Sequence, residues 1–393
     1  MKTPDRLIEC GTGTVAGCCG GLLRRGVAAT LLAFLAISRG GAADWPMHRG
    51  DPQLQGRAAG PAPAAARLRW SYKAGGAING GSAIVGERAF FGDGSGKVHA
   101  LGLADGKPAW TFSTGSAIEA TPLVLGGVLY IGAADGKLYA LDAATGAKKW
   151  AFETGDKIMA GASWCKDPAS GSVWILVGSY DFNFYALDAA TGKMLWKVET
   201  ENFINSTPAV TSDGHALFGG CDSLLHVVSL KDRKEVRKIE AGAYIPGSAT
   251  ADGRQAYFGN EAKKVFAFDT ADGSTLWTYH ARNFAYYSSP ALSAESVIIG
   301  GRDKRLHCID RAKGEARWTF STKGDVDSSP VLCGDGGIIV GSLDGRLYCV
   351  NLADGKERWN YEIGAKITGS PAVGNGAVVI GAEDGVLYCF EGN

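Results

Sequence analysis

Short runs of alternating hydrophobic and polar residues, each closed by a turn, fill most of the chain. Across residues 110–150 the runs are WTFST, TPLVL, VLYIG and KLYALD, and the breaks carry Gly126-Gly127, Asp135-Gly136 and Asp142 through Gly146. A period of two is typical of half-buried strands, and Gly and Asp at the breaks are typical of tight turns. Because no helical pattern separates the runs, they predict a small antiparallel sheet of four strands.

This unit recurs along the chain. A tryptophan in the first run recurs at spacings of 40, 40, 46, 81, 41 and 41 residues, and the 81-residue step is two periods in which Arg237 stands where a tryptophan is missing. A glycine that follows an apolar residue gives a second series of eight members: Gly92, Gly132, Gly178, Gly219, Gly259, Gly300, Gly341 and Gly381. One such sheet cannot bury both of its faces, so the repeat predicts an all-β fold, an eight-bladed β-propeller of four-stranded antiparallel blades.

The repeated residues have structural roles in this prediction. Asp142 and Asp188 accept hydrogen bonds that close the turns, and Gly146 and Gly192 supply a positive φ. The tryptophans are predicted to dock neighbouring blades, each burial contributing about 2–3 kcal/mol; they are Trp70, Trp110, Trp150, Trp196, Trp277, Trp318 and Trp359. Proline favours edge strands, which makes the second run of each unit the innermost strand; the prolines are Pro122, Pro208, Pro290, Pro330 and Pro371.

The two ends of the repeat complete each other. The last unit stops at LYCFEGN before its tryptophan, whereas Trp70 begins the series without the strands that should precede it. We therefore predict that residues 68–73 form the outermost strand of the C-terminal blade. The predicted organisation is an export signal over residues 1–43, an extended segment over 44–67 and a propeller over 68–393.

The N-terminal part of the chain is typical of an exported protein. Arg24 and Arg25 precede twelve apolar or small residues, 26–37, and small residues lead to a predicted cleavage after Ala43. The apolar stretch is too short to span a membrane, so no transmembrane segment is expected after cleavage. VAGC at 15–18 precedes the apolar stretch instead of following it, which disfavours a lipoprotein. We predict a monomeric protein of the periplasm or cell envelope, or one that is secreted.

Charge and cysteine usage narrow the functional classes. The formal net charge is zero, which argues against nucleic-acid binding. Cys308, Cys349 and Cys389 occupy equivalent places in three units and are interpreted as small buried residues. No metal spacing or catalytic triad can be assembled from the sequence. His99 and His307 stand where other units carry Tyr and are interpreted as structural.

The repeated LYALDAATGKxxW pattern resembles the pyrroloquinoline quinone (PQQ)-type propeller repeat over residues 68–393, and DWPMHRGDPQLQG from Asp44 resembles the opening of many exported bacterial proteins built from it. One branch comprises the PQQ-dependent alcohol and sugar dehydrogenases. The other is non-enzymatic and is typified by the outer-membrane assembly factor BamB.

The resemblance to the dehydrogenases implies adjacent cysteines over the quinone, a Trp beneath it, a Ca²⁺ held by Glu and Asn, and an Asp base. The adjacent pair in this chain, Cys18 and Cys19, lies in the predicted signal, and the insertions that build the enzyme pocket are lacking. We therefore expect a non-enzymatic binding or scaffolding propeller with no cofactor and an envelope protein or peptide as its partner. A dehydrogenase using PQQ with Ca²⁺ and a carbohydrate-binding propeller are the alternatives.

A binding site in a ring of like units is expected where the units differ. Eight residues after each Trp, or after Arg237 where the Trp is missing, an apolar residue recurs; in one unit Tyr286 fills this place one step further on. The residue after it varies and should ring one mouth of the channel. The candidate binding residues are Asn79, Glu119, Asn205, Tyr287, Asp327 and Thr368; Met159 and Pro246 hold the same place. The alternative is that these residues line a water-filled opening.

Three further departures from the repeat are candidates for contacts. Residues 163–175 contain a six-residue insertion and two extra tryptophans, and aromatic residues cluster at 180–185 and 283–289. The candidate surface contacts are Trp164, Tyr180, Phe182, Phe284 and Tyr286. Residues 231–240 replace the docking Trp with charge, which indicates either a solvated strand face or a weakened seam between blades.

Overall fold

The computed structural model describes residues 43–392, and its strands build eight four-stranded antiparallel blades. All but the last residue of the predicted export signal lies outside this range. The N-terminal strands and the first four blades are β1 (Arg57–Ala58), β2 (Leu68–Lys73); β3 (Ala83–Val85), β4 (Arg88–Gly92), β5 (Lys97–Gly102), β6 (Pro108–Ser113); β7 (Leu123–Leu125), β8 (Val128–Gly132), β9 (Lys137–Asp142), β10 (Lys148–Glu153); β11 (Ser163–Lys166), β12 (Val173–Gly178), β13 (Asn183–Asp188), β14 (Met194–Glu199); β15 (Ala209–Val210), β16 (His215–Gly219), β17 (Leu224–Ser229) and β18 (Lys234–Glu240).

The remaining four blades follow the same order. They are β19 (Thr250–Asp252), β20 (Gln255–Gly259), β21 (Val265–Asp269), β22 (Thr275–Tyr279); β23 (Ala291–Leu292), β24 (Ser296–Gly301), β25 (Arg305–Asp310), β26 (Ala316–Ser321); β27 (Val331–Cys333), β28 (Gly337–Gly341), β29 (Arg346–Asn351), β30 (Glu357–Glu362); and β31 (Ala372–Gly374), β32 (Ala377–Gly381), β33 (Val386–Glu391) with β2. In blades 1 to 7 the strands run outward from the channel in chain order, and neighbouring innermost strands contact one another. The predicted eight-bladed propeller and its innermost strands are confirmed. No helix capable of crossing a membrane occurs within residues 43–392.

The ring closes as the two chain ends predict. Strand β2 pairs antiparallel with β33, with Trp70 opposite Cys389 and Tyr72 opposite Leu387. This pairing completes blade 8 with its outermost strand. Since the outer strand of blade 8 comes from the N-terminal end of the repeat, opening the ring requires breaking a continuous ladder of backbone hydrogen bonds.

Five of the docking tryptophans contact the next blade through a glycine and a carbonyl; they are Trp70, Trp110, Trp150, Trp277 and Trp318. A Cβ on Gly192 would lie 2.6 Å from the Trp150 ring, so only glycine fits there. The Trp150 indole N–H donates to the Ala189 carbonyl at 3.1 Å. Trp70, Trp110, Trp277, Trp318 and Trp359 donate in the same way to the carbonyls of Leu103, Ala143, Arg311, Leu352 and Pro63.

Blade 4 departs from this docking on both of its sides. Trp196 of blade 3 has a buried indole nitrogen without a hydrogen-bond partner among the described residues. On the other side Arg237 takes the tryptophan's place and donates to the carbonyls of Ala271 and Asp272, at 2.6 and 2.9 Å. The charged stretch therefore forms a different seam, which is made by hydrogen bonds instead of an indole ring.

The second series of glycines marks a close approach between blades. A Cβ on Gly132 would lie 2.1 Å from the Ile158 side chain, and Gly178 meets Ile204 at 2.2 Å. The recurring apolar residue after each Trp is thus packed against the glycine of the preceding blade. All its members are at most 2 % exposed: Ile78, Ile118, Ile158, Ile204, Ile245, Tyr286, Val326 and Ile367. Cys308, Cys349 and Cys389 are likewise buried, in three different blades.

The segment before the repeat lies inside the channel; we call residues 45–62 the plug. Its backbone carbonyls accept hydrogen bonds from the innermost strands of six blades, which are blades 1, 2 and 4 to 7. The pairs of donor and acceptor are Ile84 and Trp45, Val124 and Pro46, Val210 and Pro52, Ala251 and Gln53, Leu292 and Gln55, and Leu332 and Gly56. Strand β1 then pairs parallel with β27. The plug satisfies edge groups that would otherwise face the channel unpaired.

Candidate functional site

The variable residues lie on one face of the ring. Because successive strands are antiparallel, the loops that enter each innermost strand and the turns between second and third strands share one end of every blade. Hydrogen bonds join the two sets of loops, as between the Tyr180 N–H and the Lys157 carbonyl at 2.9 Å. We call this end the mouth face and the opposite end the far face.

The channel opens on the mouth face as a shallow well of about 170 Å³. The residues at the variable position that line it are Asn79, Glu119, Met159, Asn205, Pro246, Tyr287 and Thr368. The Asn205 side-chain oxygen is buried and has no hydrogen-bond partner among the described residues, so it is a free acceptor at the wall. The spacing from Trp thus located a ring of mixed polar residues, and their role in binding stays a prediction.

Below these residues a ring of hydroxyl groups ties the blades together. Two residues before the innermost strand stands a Ser or Thr in six blades: Thr121, Thr207, Ser248, Ser289, Ser329 and Ser370. Where one of these hydroxyls accepts a hydrogen bond from a neighbouring blade, the donor is a backbone N–H of the preceding blade. The Ser248 N–H donates to Ser289 Oγ at 2.9 Å, and the Ser289 N–H donates to Ser329 Oγ at 2.9 Å. We did not predict this ring, although Ser or Thr directly precedes all five recurring prolines.

The plug forms the floor of the well. His48 lines the well, and its Nε2 lies 3.5 Å from Ser289 Oγ. Although part of the ring stays accessible from the well, burial and the neighbouring Arg49 lower the pKa of His48 from 6.5 to about 3. Arg49 is buried, and burial lowers its pKa to about 9; its Nη2 donates to the Pro290 carbonyl at 3.0 Å. The well is therefore closed below by a neutral imidazole.

An ion pair occupies the rim on blades 5 to 7. The Arg302 guanidinium donates to both Asp327 oxygens, at 3.0 and 2.8 Å, and its Cζ lies 3.4 Å from the Tyr287 ring centroid. The hydroxyls of Tyr287 and Tyr244 are 2.7 Å apart. Burial, and next the Tyr244 hydrogen bond, raise the pKa of Tyr287. Of the candidate binding residues, Asp327 does not line the well, because Arg302 holds its carboxylate at the rim.

An aromatic patch lies on the mouth face beside the well. Tyr180 and Phe203 stack with centroids 4.7 Å apart, and Phe182 contacts Phe203 at 5.3 Å. Phe182 and Phe203 are 38 % and 37 % exposed. Phe284 is also exposed, in the loop before β23. Phe203 was not predicted as a contact residue, because a single Phe in TENFINST carries no signal until the fold places it beside Tyr180.

Two of the predicted contact residues lie elsewhere. Tyr286 is only 2 % exposed, so its prediction as a surface contact is wrong. It fills the packing position between blades, and its ring makes an edge contact with His307. Trp164 lies in β11 opposite Ile175 and lines a cavity toward the far face, away from the aromatic patch.

The buried histidines close turns on the mouth face. His99 Nε2 lies 2.8 Å from Asp93 Oδ2, and His307 Nε2 lies 3.0 Å from Asp303 Oδ1. In blade 2 Tyr139 makes the corresponding contact with Asp135. This equivalence explains why His and Tyr interchange at this place in the repeat.

The channel does not fit a quinone cofactor. Plug side chains including Met47, Arg49 and Leu54, each at most 2 % exposed, fill the space beneath the well. The remaining 170 Å³ is smaller than the roughly 300–1,000 Å³ of ordinary ligand pockets. The adjacent cysteines that the dehydrogenases place over the quinone have no counterpart among residues 43–392, where the six cysteines are all separated in sequence.

Comparisons with known proteins agree with this geometry. BamB from Moraxella catarrhalis has a TM-score of 0.68 at 22 % identity, covering 82 % of this chain and 97 % of that chain. A europium-containing methanol dehydrogenase has a TM-score of 0.69 at 14 % identity, covering 88 % of this chain and 98 % of that chain. A quinohemoprotein alcohol dehydrogenase from Comamonas testosteroni has a TM-score of 0.75 at 14 % identity, covering 90 % of this chain and 82 % of that chain. No curated protein sequence matches the chain.

These structural similarities are all below 25 % identity and show the fold alone. The family is shown by sequence: the model described as outer membrane protein assembly factor BamB matches residues 55–279, 157–318 and 302–393, which together cover the plug from Gln55 and every blade. The chain therefore belongs to the BamB-type family of PQQ-like propeller-repeat proteins.

Proposed function

We propose that this protein is a non-enzymatic scaffold of the bacterial cell envelope that binds a partner protein through its mouth face. The family description, an outer membrane protein assembly factor, supports both the compartment and the kind of partner. Because the plug fills the channel, a role in binding at the surface of the ring is favoured over a reaction inside the channel.

The observation that carries the proposal is the backbone of Phe182. It has a φ of 70°, in a turn where four other blades have glycine with positive φ and the remaining three have a small or flexible polar residue; the glycines are Gly96, Gly136, Gly345 and Gly385, and the polar residues are Ser223, Lys263 and Lys304. A bulky residue in this conformation costs on the order of 1 kcal/mol relative to glycine. A phenylalanine that is both strained and 38 % exposed is a poor choice for stability, which favours a role in contact.

The surroundings of the patch indicate the partner's chemistry. Burial first, and then the nearby Cys221, Glu119 and Asp156, raise the pKa of Tyr180. Glu201 precedes the Asn202-Phe203 pair in the same loop. Exposed aromatic rings beside carboxylates suit a protein surface with apolar side chains flanked by Lys or Arg.

The test is Phe182→Gly, which removes the ring and relieves the strain. The matched control is Lys263→Gly, because Lys263 has the same φ of 70° in the equivalent turn of blade 5. We expect the wild type and the control to capture the outer-membrane assembly machinery from envelope extracts equally, and Phe182→Gly to capture at least ~10-fold less while melting no lower than the wild type. Equal capture by all three proteins would contradict the proposal.

A second experiment separates the scaffold from a dehydrogenase. PQQ and Ca²⁺ are added to the purified protein, and dye-linked oxidation of alcohols and sugars is measured together with the melting temperature. We expect neither turnover nor a shift in melting temperature, because the plug fills the channel. Sustained turnover would replace the scaffold with an enzyme.

A further inference from the structure

A second cavity lies toward the far face, outside the site proposed above. It measures about 810 Å³, within the range of ordinary ligand pockets. Its walls are the plug, the hairpin turns of blades 1 and 2, and Trp164 of blade 3. Most of its exposed lining is apolar, contributed by residues such as Val85, Leu125 and Val128.

The cavity lies where the plug omits one blade. In the innermost strands of blades 1, 2, 4, 5, 6 and 7, the same position donates its backbone N–H to a plug carbonyl. In blade 3 this position is Trp164, since it lies opposite Ile175 as Val124 lies opposite Leu129. The plug turns inward there, with the Gly50 N–H bonded to the Met47 carbonyl, and makes no backbone hydrogen bond to β11 in the described chain.

The blade 8 position differs from that of blade 3. Val373 also makes no bond to the plug, but the chain covers that edge: a Cβ on the adjacent Gly374 would lie 2.7 Å from the Ala43 carbonyl oxygen. In blade 3 the corresponding edge borders the cavity instead. By register, the Trp164 N–H points to the side on which the other blades bind an extended backbone.

The charges in the cavity are predominantly negative. Four carboxylates, of Asp44, Asp51, Glu87 and Asp142, line it with two cations, Arg88 and Lys149. The cations are engaged: Lys149 pairs with Asp142 at 3.2 Å, and Arg88 donates to the carbonyls of Ala143 and Ala144. Glu87 is exposed, and its carboxylate has no partner among the described residues. Burial raises the pKa of Asp51, although the Gln55 backbone N–H donates to its carboxylate at 3.2 Å and Arg49 lies nearby; a further cation beside it would oppose this shift.

We infer that this cavity binds an extended peptide that pairs with the free edge of β11 and places a Lys or Arg side chain near Asp51 and Glu87. At blade 3 the peptide backbone lies along the innermost strand, as the plug backbone does at six other blades. Backbone hydrogen bonds to the strand edge supply affinity, and the carboxylates and the apolar wall select basic and aliphatic side chains. The half-buried Trp164 provides an aromatic surface for such a chain.

The inference is tested by calorimetric titration of the full protein with the blocked peptide Ac-Thr-Val-Lys-Val-Thr-NH2. Two control peptides carry Glu in place of Lys, or N-methyl groups on both Val residues. We expect saturable binding of the first peptide, and binding at least ~10-fold weaker for each control, since a lost backbone hydrogen bond or a reversed charge removes that much.

Variants locate the binding. Glu87→Gln should weaken the lysine peptide roughly 3-fold, the effect of one partly exposed ion pair. Glu383→Gln, an exposed glutamate on the mouth face, is the matched control and should change nothing. The inference is overturned if no peptide binds, if the N-methylated peptide binds as tightly, or if both variants behave alike. Equal affinity for n-butylammonium would show a small-amine pocket and overturn the peptide assignment.

Discussion

Arg237 lies over Gly273 where a docking tryptophan lies over glycine in other seams; a Cβ on Gly273 would be 3.1 Å from the arginine Cδ. At Gly192 the corresponding Cβ would be 2.6 Å from the rigid Trp150 ring. Both glycines have positive φ, 80° and 71°. The two seams therefore share a backbone conformation but differ in how far the covering side chain can move.

This difference predicts unequal costs for one substitution. Gly192→Ala and Gly273→Ala should both lose about 1 kcal/mol from the positive φ. Gly192→Ala should lose a further ~1–3 kcal/mol, because the indole ring must shift in a packed seam. Urea unfolding of both variants measures the difference, and equal free energies of unfolding would show that the Trp150 ring yields as easily as Arg237.

The unpartnered indole of Trp196 gives a second prediction. Trp150→Phe removes a hydrogen bond to the Ala189 carbonyl, whereas Trp196→Phe removes none within the described chain. Both substitutions lose similar ring area, so Trp150→Phe should be more destabilising by about 1 kcal/mol. Thermal unfolding of the two variants tests this. A larger loss of stability for Trp196→Phe would contradict the conclusion that the Trp196 indole makes no hydrogen bond across its seam.

His48 should make the protein less stable in acid. Its pKa is lowered in the folded state, so below pH 6.5 the unfolded chain takes up a proton that the folded protein does not. Stability should fall by up to about 1.4 kcal/mol per pH unit as the pH drops from 6.5 toward 4. His48→Gln should show a flatter dependence over this interval; parallel curves for the two proteins would contradict the burial of a neutral imidazole.

His226 should act with the opposite sign. Burial disfavours its charged form, but hydrogen bonds to Asp222 and Glu235 outweigh this and raise its pKa. Its stabilising contribution is complete below pH 6.5 and is lost as the pH rises through the folded-state pKa. The wild type should therefore lose more stability than His226→Gln between pH 6 and 9. The control is His215→Gln. Within residues 43–392, His215 does not have two buried carboxylate partners as His226 does.

The repeat made the ring predictable because each blade uses the same local interactions. The residues that organise a strand or turn lie close to it in sequence, as Trp150, Gly192 and Asp188 do. The alternation of hydrophobic and polar residues and the residue types typical of turns are therefore enough to identify them. The plug carries neither alternation nor repeat, and its bonds join Pro52 to Val210 and Gln55 to Leu292, separations that no local pattern records.

The mouth face was predictable in position but not in detail. The nine-residue offset from Trp placed Asn79, Glu119 and Asn205 around the well correctly. It did not indicate that Arg302 would hold Asp327, because that pair joins two different loops. Tyr286 was misassigned because an aromatic residue in a loop resembles a contact residue whether it points outward or fills the interblade position.

The plug also changes how the ring must form and come apart. A propeller made of blades alone couples each unit only to its neighbours, so that partial openings can spread unit by unit. Here one strand-like segment, synthesised before the blades, is hydrogen-bonded to six blades that follow it over almost 300 residues. Unfolding of any one of these blades therefore also breaks its hydrogen bonds to the plug, the segment to which the other five blades are bonded. Such long-range closure predicts slow folding, and a single cooperative unfolding transition in place of stepwise loss of blades.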